Sequence, residues 1–321
     1  MTDSPGDVPR IAVLPAARPD RPSTSDPTWL ADAVRAGGAQ AAMDADDLAG
    51  VEAIVWTDPH DPGDLRDLLD RHPGIRWVQL PFAGVEPFLD VLDTDRVWTC
   101  GKGVYAEPVA EAALALALGV LRNLDGYARA TSWSAPAGRN LLGARVTVLG
   151  GGEITASLLR LLGPWGCTTT VVTRRPRPLA GADRVVGGDE LLDVLPDTDV
   201  LVLALALTPE TERVVDATAL AALPDHAVLV NVARGRHVDT DALVDALRSG
   251  RLAGAGLDVT DPEPLPDGHP LWTLPGVLIT PHTANTPEMG RPLLAARVTE
   301  NVRRFLAGDD LVGGVDVDAG Y

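Results

Sequence analysis

The sequence predicts an α/β protein made of two doubly wound parallel-sheet domains. Three observations carry this. Short apolar runs recur along the chain, separated by helical patterns and turn residues, and strands alternating with helices specify a parallel sheet covered on both faces. The runs are nearly continuous rather than alternating, as in strands buried on both sides. With 321 residues, the chain is long enough for two domains of about 100–200 residues each.

The elements follow in order. Arg10–Leu14 reads as a first strand, and a Pro/Ser/Asp loop leads to Pro27. Asp26–Arg35 carries a helix with an acidic cap, a proline at its first position and a Gly37-Gly38 stop. Ala53–Trp56 is a strand, Asp61–Arg71 a helix and Trp77–Leu80 a strand ended by Pro81. An Ala/Leu-rich stretch from about Glu107 to Ala130 predicts one long helix. A second series then gives strands at Val146–Leu149, Thr169–Val172, Val200–Leu203, Val228–Asn231, Gly254–Val259 and Val277–Ile279.

Composition narrows the function. The chain has 45 acidic against 27 basic residues, a net charge of −18, and such a field repels phosphate backbones, so no nucleic-acid partner is expected. Lys102 is the sole lysine, a compositional bias rather than a site. Cys100 and Cys167 fit neither a disulfide framework nor a metal spacing, so no metal is expected. Met1–Arg10 lacks the pattern of a signal peptide. The longest apolar run, Ala112–Leu121, is about half a membrane span. A cytoplasmic protein without a membrane partner is the expectation.

Chemistry begins at Val146-Thr-Val-Leu-Gly150-Gly-Gly152-Glu153-Ile154-Thr155, where glycines join a strand to a helix. Gly150 permits the tight turn, and Gly152 lets the backbone approach a pyrophosphate seated on the free N–H groups of the helix start. Thr155 replaces the third glycine of the usual fingerprint. The end of the next strand, where an acidic residue would bind the ribose of NAD, is Thr173, followed by Arg174, Arg175 and, after Pro176, Arg177. That composition suits a 2′-phosphate, so NADP is expected in preference to NAD.

Three further strand ends carry ionisable residues. Arg234 follows one, Asp258 ends another with Glu263 between prolines beyond it, and His282 follows the last. Arginine clamps a carboxylate, histidine exchanges a proton near neutral pH, and a carboxylate beside a histidine favours its charged form. The remaining histidines, His60, His72, His226, His237 and His269, read as residues of polar loops or element ends without a role.

These motifs together resemble the NAD(P)-dependent D-isomer-specific 2-hydroxyacid dehydrogenase family over nearly the whole chain. The glycine loop, Leu207-Thr-Pro-Glu-Thr211, Asn231-Val-Ala-Arg-Gly235 with Val238-Asp239, Gly256-Leu-Asp-Val259 with Glu263-Pro264, and Thr280-Pro-His282 carry the resemblance. It implies a Rossmann cofactor domain, 104–285, inserted into a flavodoxin-like substrate domain of 1–103 and 286–321. It implies hydride transfer between NAD(P)H and a small 2-keto or D-2-hydroxy acid in the cleft between domains. Arg234 would anchor the carboxylate and carbonyl, His282 would donate the proton, and Glu263 would keep His282 protonated. Gly150, Gly152, Glu153, Ile154, Thr173, Arg174, Arg175, Leu205, Ala206, Thr211, Val232, Ala233 and Asp258 would line the cofactor, Asp258 meeting the nicotinamide carboxamide. Backbone N–H groups in the loop Phe82-Ala83-Gly84-Val85, those of Ala83 and Gly84 foremost, would bind the substrate carboxylate. A homodimer through the cofactor domains is implied as well, with the Glu107–Ala130 helix contributing.

Besides Thr155, two positions depart from the family: Ala206 stands where a proline is usual, and Thr260 where an aromatic is. The substrate stays open among glyoxylate, hydroxypyruvate, pyruvate, phosphoglycerate and bulkier 2-keto acids, with discrimination resting on side chains around Phe82, Tyr105 and Met289. A dinucleotide-sensing protein of the same fold with little turnover is the alternative. The related formate dehydrogenases carry Gln at the position of Glu263, which disfavours that branch.

Overall fold

The computed structural model describes residues 8–15, 27–58 and 62–320. The chain divides into two compact units, one of Met1–Tyr105 with Pro287–Tyr321 and one of Ala106–Thr286. The expected cap Asp26, the helix start at Asp61 and His60 lie outside the described residues.

In the first unit, β1 (Arg10–Leu14), β2 (Gln40–Ala42), β3 (Val51–Trp56), β4 (Trp77–Gln79) and β5 (Val97–Thr99) form a sheet in the order β2-β1-β3-β4-β5. Every pairing is parallel, and the order is that of a flavodoxin-like fold. Successive side chains leave opposite faces. Ile11, Val13, Ala53, Val55 and Trp77 pack on α1 (Thr28–Ala36) and α9 (Pro287–Ala307). Ala12, Leu14, Ile54, Trp56 and Val78 pack on α2 (Pro62–Arg71).

A buried polar chain ties the end of the sequence to this sheet. The Trp77 indole donates to Thr99 Oγ1 at 2.8 Å, Thr99 Oγ1 donates to Gln79 Oε1 at 2.8 Å, and Asn301 Nδ2 donates to the same Oε1 at 3.0 Å. Asn301, fully buried on α9, also pairs with the backbone of Val312 in both directions. Buried polar groups that are satisfied in this way specify one packing rather than several. The last segment therefore completes the first unit.

The second unit opens with α3 (Ala106–Leu121) and α4 (Leu124–Arg129). Its parallel strands are β6 (Arg145–Leu149), β7 (Thr168–Val172), β8 (Arg184–Val186), β9 (Val200–Leu203), β10 (Val228–Asn231), β11 (Gly254–Leu257) and β12 (Val277–Ile279). They run β12-β11-β10-β9-β6-β7-β8, so the order reverses direction at β6, between its neighbours β9 and β7. Val146, Val148, Val200, Val202, Val228 and Val230 pack on α3 and α5 (Glu153–Leu162). Leu201, Leu203, Leu229, Ala255 and Leu257 face α6 (Leu191–Val194), α7 (Ala217–Ala222) and α8 (Thr240–Arg248). Each such Val or Leu side chain, fully buried, contributes about 1.5–3 kcal/mol.

The structure differs from the sequence expectation at four places. The long helix over 107–130 breaks: α3 ends at Leu121, Asn123 takes the left-handed φ of 53°, and α4 restarts beyond it. Asparagine tolerates that conformation, and its carbonyl accepts the Tyr127 amide. The short edge strands β2, β5 and β8 carried no clear apolar run and were not expected. The strand expected to reach Val259 stops at Leu257, because Asp258 turns toward the loop after β12. Finally, α1 begins at Thr28 with Pro27 outside it as the cap residue, and no side chain bonds there.

Among the described residues, no helix is long and apolar enough to cross a membrane, and no group of three or more His, Cys, Asp or Glu side chains could hold a metal ion.

Candidate active site

Six strand ends of the second unit carry the residues singled out above, and ligands of open α/β sheets bind at such carboxyl ends, by the reversal of strand order. The glycine loop sits there. Gly150 has φ +108°, and a Cβ on it would collide with the Ala204 carbonyl at the end of β9. Only glycine serves at that position. Thr155, fully buried, donates its hydroxyl to the Gly150 carbonyl at 2.7 Å, so the residue replacing the third glycine braces the turn from inside. Gly152 is different. Its φ and ψ, −92° and −168°, suit any residue, and a Cβ there would meet nothing within 4 Å. Neither backbone nor packing requires glycine at 152, and the uncapped first amides of α5 stand beside that open space. This is the cradle a pyrophosphate needs, so the residues fit a dinucleotide.

Beyond β7, Thr173 lies against Gly151, its Oγ1 3.1 Å from where a Cβ would be, while Arg174 and Arg175 are exposed. The Glu210 carboxyl is held below its usual range, first by the Thr208 hydroxyl and also by the charge of Arg174. In the loop after β9, Thr211 Oγ1 donates to the Ala206 carbonyl at 2.8 Å and accepts from the Thr208 amide at 2.8 Å. Leu205 packs on the core.

Arg234 is placed by its neighbours. Asn231, buried at the end of β10, accepts from the Ala233 amide at 3.0 Å and donates to the Arg234 carbonyl at 2.8 Å. Val232 and Ala233 are buried. A Cβ on Gly235 would collide with the Thr260 carbonyl and lie 2.6 Å from the Asp261 amide nitrogen. The arginine loop and the Glu263 loop therefore pack back to back.

Asp258, 2% exposed, spends its carboxylate on the loop after β12. Oδ1 accepts from Thr280 Oγ1 at 2.5 Å and the Thr283 amide at 2.8 Å, and the Ala284 amide bridges both oxygens at 3.1 Å. The Asp258 carbonyl takes the His282 amide at 2.8 Å. Held at both sides, His282 has a left-handed φ of 53°, and its Nδ1 lies 2.6 Å from Glu263 Oε1. Both side chains are exposed, 53% and 41%. With Nδ1–H donating to the carboxylate, Nε2 is left outward to exchange a proton.

Ala83 and Gly84 belong to the first unit, on the turn after β4. The Tyr105 hydroxyl, which burial pushes above the usual phenol range, donates to the Pro81 carbonyl at 2.7 Å, and the Gly101 amide donates to Phe82 O at 2.7 Å. Ala83 and Phe82 are exposed.

The second unit thus brings together Arg234, Glu263, His282, Asp258 and the glycine loop on one sheet edge. Sequence reasoning missed Asn231 as the brace of Arg234, Thr155 as the brace of the turn, and His237. That histidine, read as a loop residue, is fully buried. The signal available was Gly235, whose closeness to another backbone encloses its neighbours.

Residues 113–284 match the family model described as D-isomer specific 2-hydroxyacid dehydrogenase, NAD binding domain. Glyoxylate/hydroxypyruvate reductase A of Photorhabdus laumondii subsp. laumondii is 29% identical over 84% of this chain and 87% of its own. Among solved structures, a D-isomer specific 2-hydroxyacid dehydrogenase from Xanthobacter autotrophicus Py2, in complex with NADPH and MES, has a TM-score of 0.81 at 30% identity, covering 98% of this chain and 100% of that one. An NADPH-dependent glyoxylate/hydroxypyruvate reductase from Sinorhizobium meliloti, with NADP and malonate, has a TM-score of 0.73 at 26% identity over 97% and 98%. Local motifs, family model and fold agree over most of the sequence, and the chain belongs to the D-isomer specific 2-hydroxyacid dehydrogenase family.

Proposed function

We propose that the protein reduces a small 2-keto acid to the D-2-hydroxy acid, with NADPH preferred over NADH. The observation that carries this reading is the 2.6 Å Glu263–His282 pair, held on the same sheet edge as Arg234 and the glycine loop. Bound NAD(P)H supplies the hydride. Arg234 anchors the substrate carboxylate and carbonyl. His282 delivers a proton from Nε2 to the carbonyl oxygen, and Glu263 fixes the ring through Nδ1 and balances its charge. Asp258 keeps the His282 loop in place.

The unit Ala106–Thr286 takes the cofactor in this reading. Gly150, Gly152, Glu153 and Ile154 cradle the pyrophosphate, and Leu205, Ala206, Thr211, Val232 and Ala233 line the nicotinamide side. Thr173, Arg174 and Arg175 take the 2′-phosphate, since no carboxylate at that strand end repels it. NADPH or NADP in the neighbouring structures supports the preference, and the reductase relatives favour glyoxylate or hydroxypyruvate as substrate.

A homodimer working in the cytoplasm completes the proposal. Its support is the exposed arm over 130–140, which carries the fully exposed Trp133, with the exposed Leu142 just beyond it. Sedimentation tests the dimer. Oxidation of NADPH and of NADH across a panel of 2-keto acids tests the reaction. Tight NADPH binding with no turnover on the whole panel would make the protein a dinucleotide sensor instead.

A further inference from the structure

We propose that His237 is a positioning residue that couples the main chain of Arg234 to the loop bearing Ala206, holding the substrate anchor in register with the cofactor loop. The inference rests on the function proposed above and concerns a residue given no role by the sequence.

His237 closes the short 3-10 turn Gly235–His237 and is fully buried. Its Nδ1 lies 3.2 Å from the Arg234 amide nitrogen and 3.1 Å from the Arg234 carbonyl oxygen. Its Nε2 lies 3.2 Å from the Ala206 carbonyl oxygen, 31 residues away in the chain. The Arg234 amide hydrogen points at Nδ1, which therefore accepts it, and Nε2 carries the ring hydrogen toward the Ala206 carbonyl. The Arg234 carbonyl is served separately, by Asn231 Nδ2 at 2.8 Å and the His237 amide at 3.2 Å. The Ala206 carbonyl receives Thr211 Oγ1 from the other side at 2.8 Å.

One rigid ring therefore spans two loops that serve different ligands. The δ position faces the arginine and the ε position faces the cofactor loop. The roles separate by substitution. In His237→Asn an oxygen at the δ position still accepts from the Arg234 amide, while the reach to Ala206 is gone. In His237→Gln an amide at the ε position still donates to Ala206, while the Arg234 amide loses its partner. His237→Phe keeps the ring volume and loses both.

The test is binding, measured without turnover. NADPH is titrated by its fluorescence, and oxamate, a 2-keto acid analogue, is titrated at saturating NADPH. His237→Asn is expected to weaken NADPH and spare oxamate, and His237→Gln to weaken oxamate and spare NADPH, each by about tenfold, the scale of one lost hydrogen bond. His237→Phe is expected to weaken both, with thermal melts reporting whether it folds. If the Asn and Gln variants weaken both probes alike, or neither, His237 is packing and the inference fails. Wild-type protein that binds both probes yet reduces no 2-keto acid overturns the proposed reaction and leaves the coupling standing. Wild type that binds neither overturns both.

Discussion

Two histidine–carboxylate pairs sit at opposite ends of the second unit's sheet. At the carboxyl ends of the strands, His282 meets Glu263 at 2.6 Å. At the amino ends, His226 Nε2 meets Asp199 Oδ1 at 2.9 Å. The chemistry of the two pairs is the same, and their surroundings are not. Asp199 also accepts from the Arg145 amide at 2.8 Å and from the Arg145 guanidinium on both oxygens. Burial works against its charge, but the Arg145 guanidinium and amide and His226 outweigh it and hold the carboxyl far below the usual range. Its capacity is spent on joining β6, β9 and the turn before β10. Glu263, by contrast, gives one oxygen to the histidine, and its other lies 3.5 Å from the Thr260 amide. A histidine beside a carboxylate is thus not by itself a proton donor. In the proposed reading, the two pairs differ in whether the carboxylate is already engaged by a fixed cation, and in which end of the sheet carries them.

The contrast is sharpest in rate. His282→Ala is expected to lower kcat by roughly 10²–10⁴, the scale of losing a positioned general acid, while His226→Ala leaves kcat within twofold. Steady-state kinetics of the two variants on one good substrate break the comparison if they lose rate equally. Arg234→Ala comes next: loss of a charge-assisted anchor is expected to cost roughly 10²-fold in kcat/KM, felt in both KM and kcat. Arg174→Ala with Arg175→Ala is expected to raise KM for NADPH about tenfold and leave NADH nearly unchanged. An equal change for both cofactors would turn the arginines to solvent.

The smallest effect belongs to the amino-end pair. A carboxyl whose pKa is lowered by folding stabilises the fold fully above its unfolded value, about 3.9, and that contribution is lost as pH falls further. Asp199→Asn is therefore expected to lower stability at neutral pH by roughly 1–3 kcal/mol without touching kcat. Its Tm should also fall less steeply than that of wild type on acidification below pH ~4. Melting curves across pH check the sign.

The central strands were legible in the sequence because each is built on a run of apolar residues buried on both faces, as in Val228-Leu229-Val230. The glycine loop, Arg234, Glu263 and His282 were legible because motif order survives along the chain. Other features depend on partners far away in sequence. Gln40–Ala42, Val97–Thr99 and Arg184–Val186 are strands only because a neighbour offers its edge. The break at Asn123 rests on one left-handed residue. His237 sits in Arg-Gly-Arg-His, a polar string on paper, and becomes buried once the Thr260–Asp261 backbone closes on Gly235. Ala83 and Gly84 would act through main-chain amides, which leave no side-chain signature.

The hydrogen bond from Asn301 to Gln79 spans 222 residues, and it imposes an order on biosynthesis. At about 5–20 residues per second, the ribosome reaches Asn301 on the order of 10 to 45 seconds after Gln79. Throughout that interval the face formed by Ile11, Val13, Val55 and Trp77 lacks Leu294, Val298 and Val302 of α9, which complete its cluster. The inserted unit, whose strands and helices are all made before α9 begins, can close first. The first unit to be translated is thus the last to finish folding, and its sheet is the surface for which a nascent-chain chaperone would have most use.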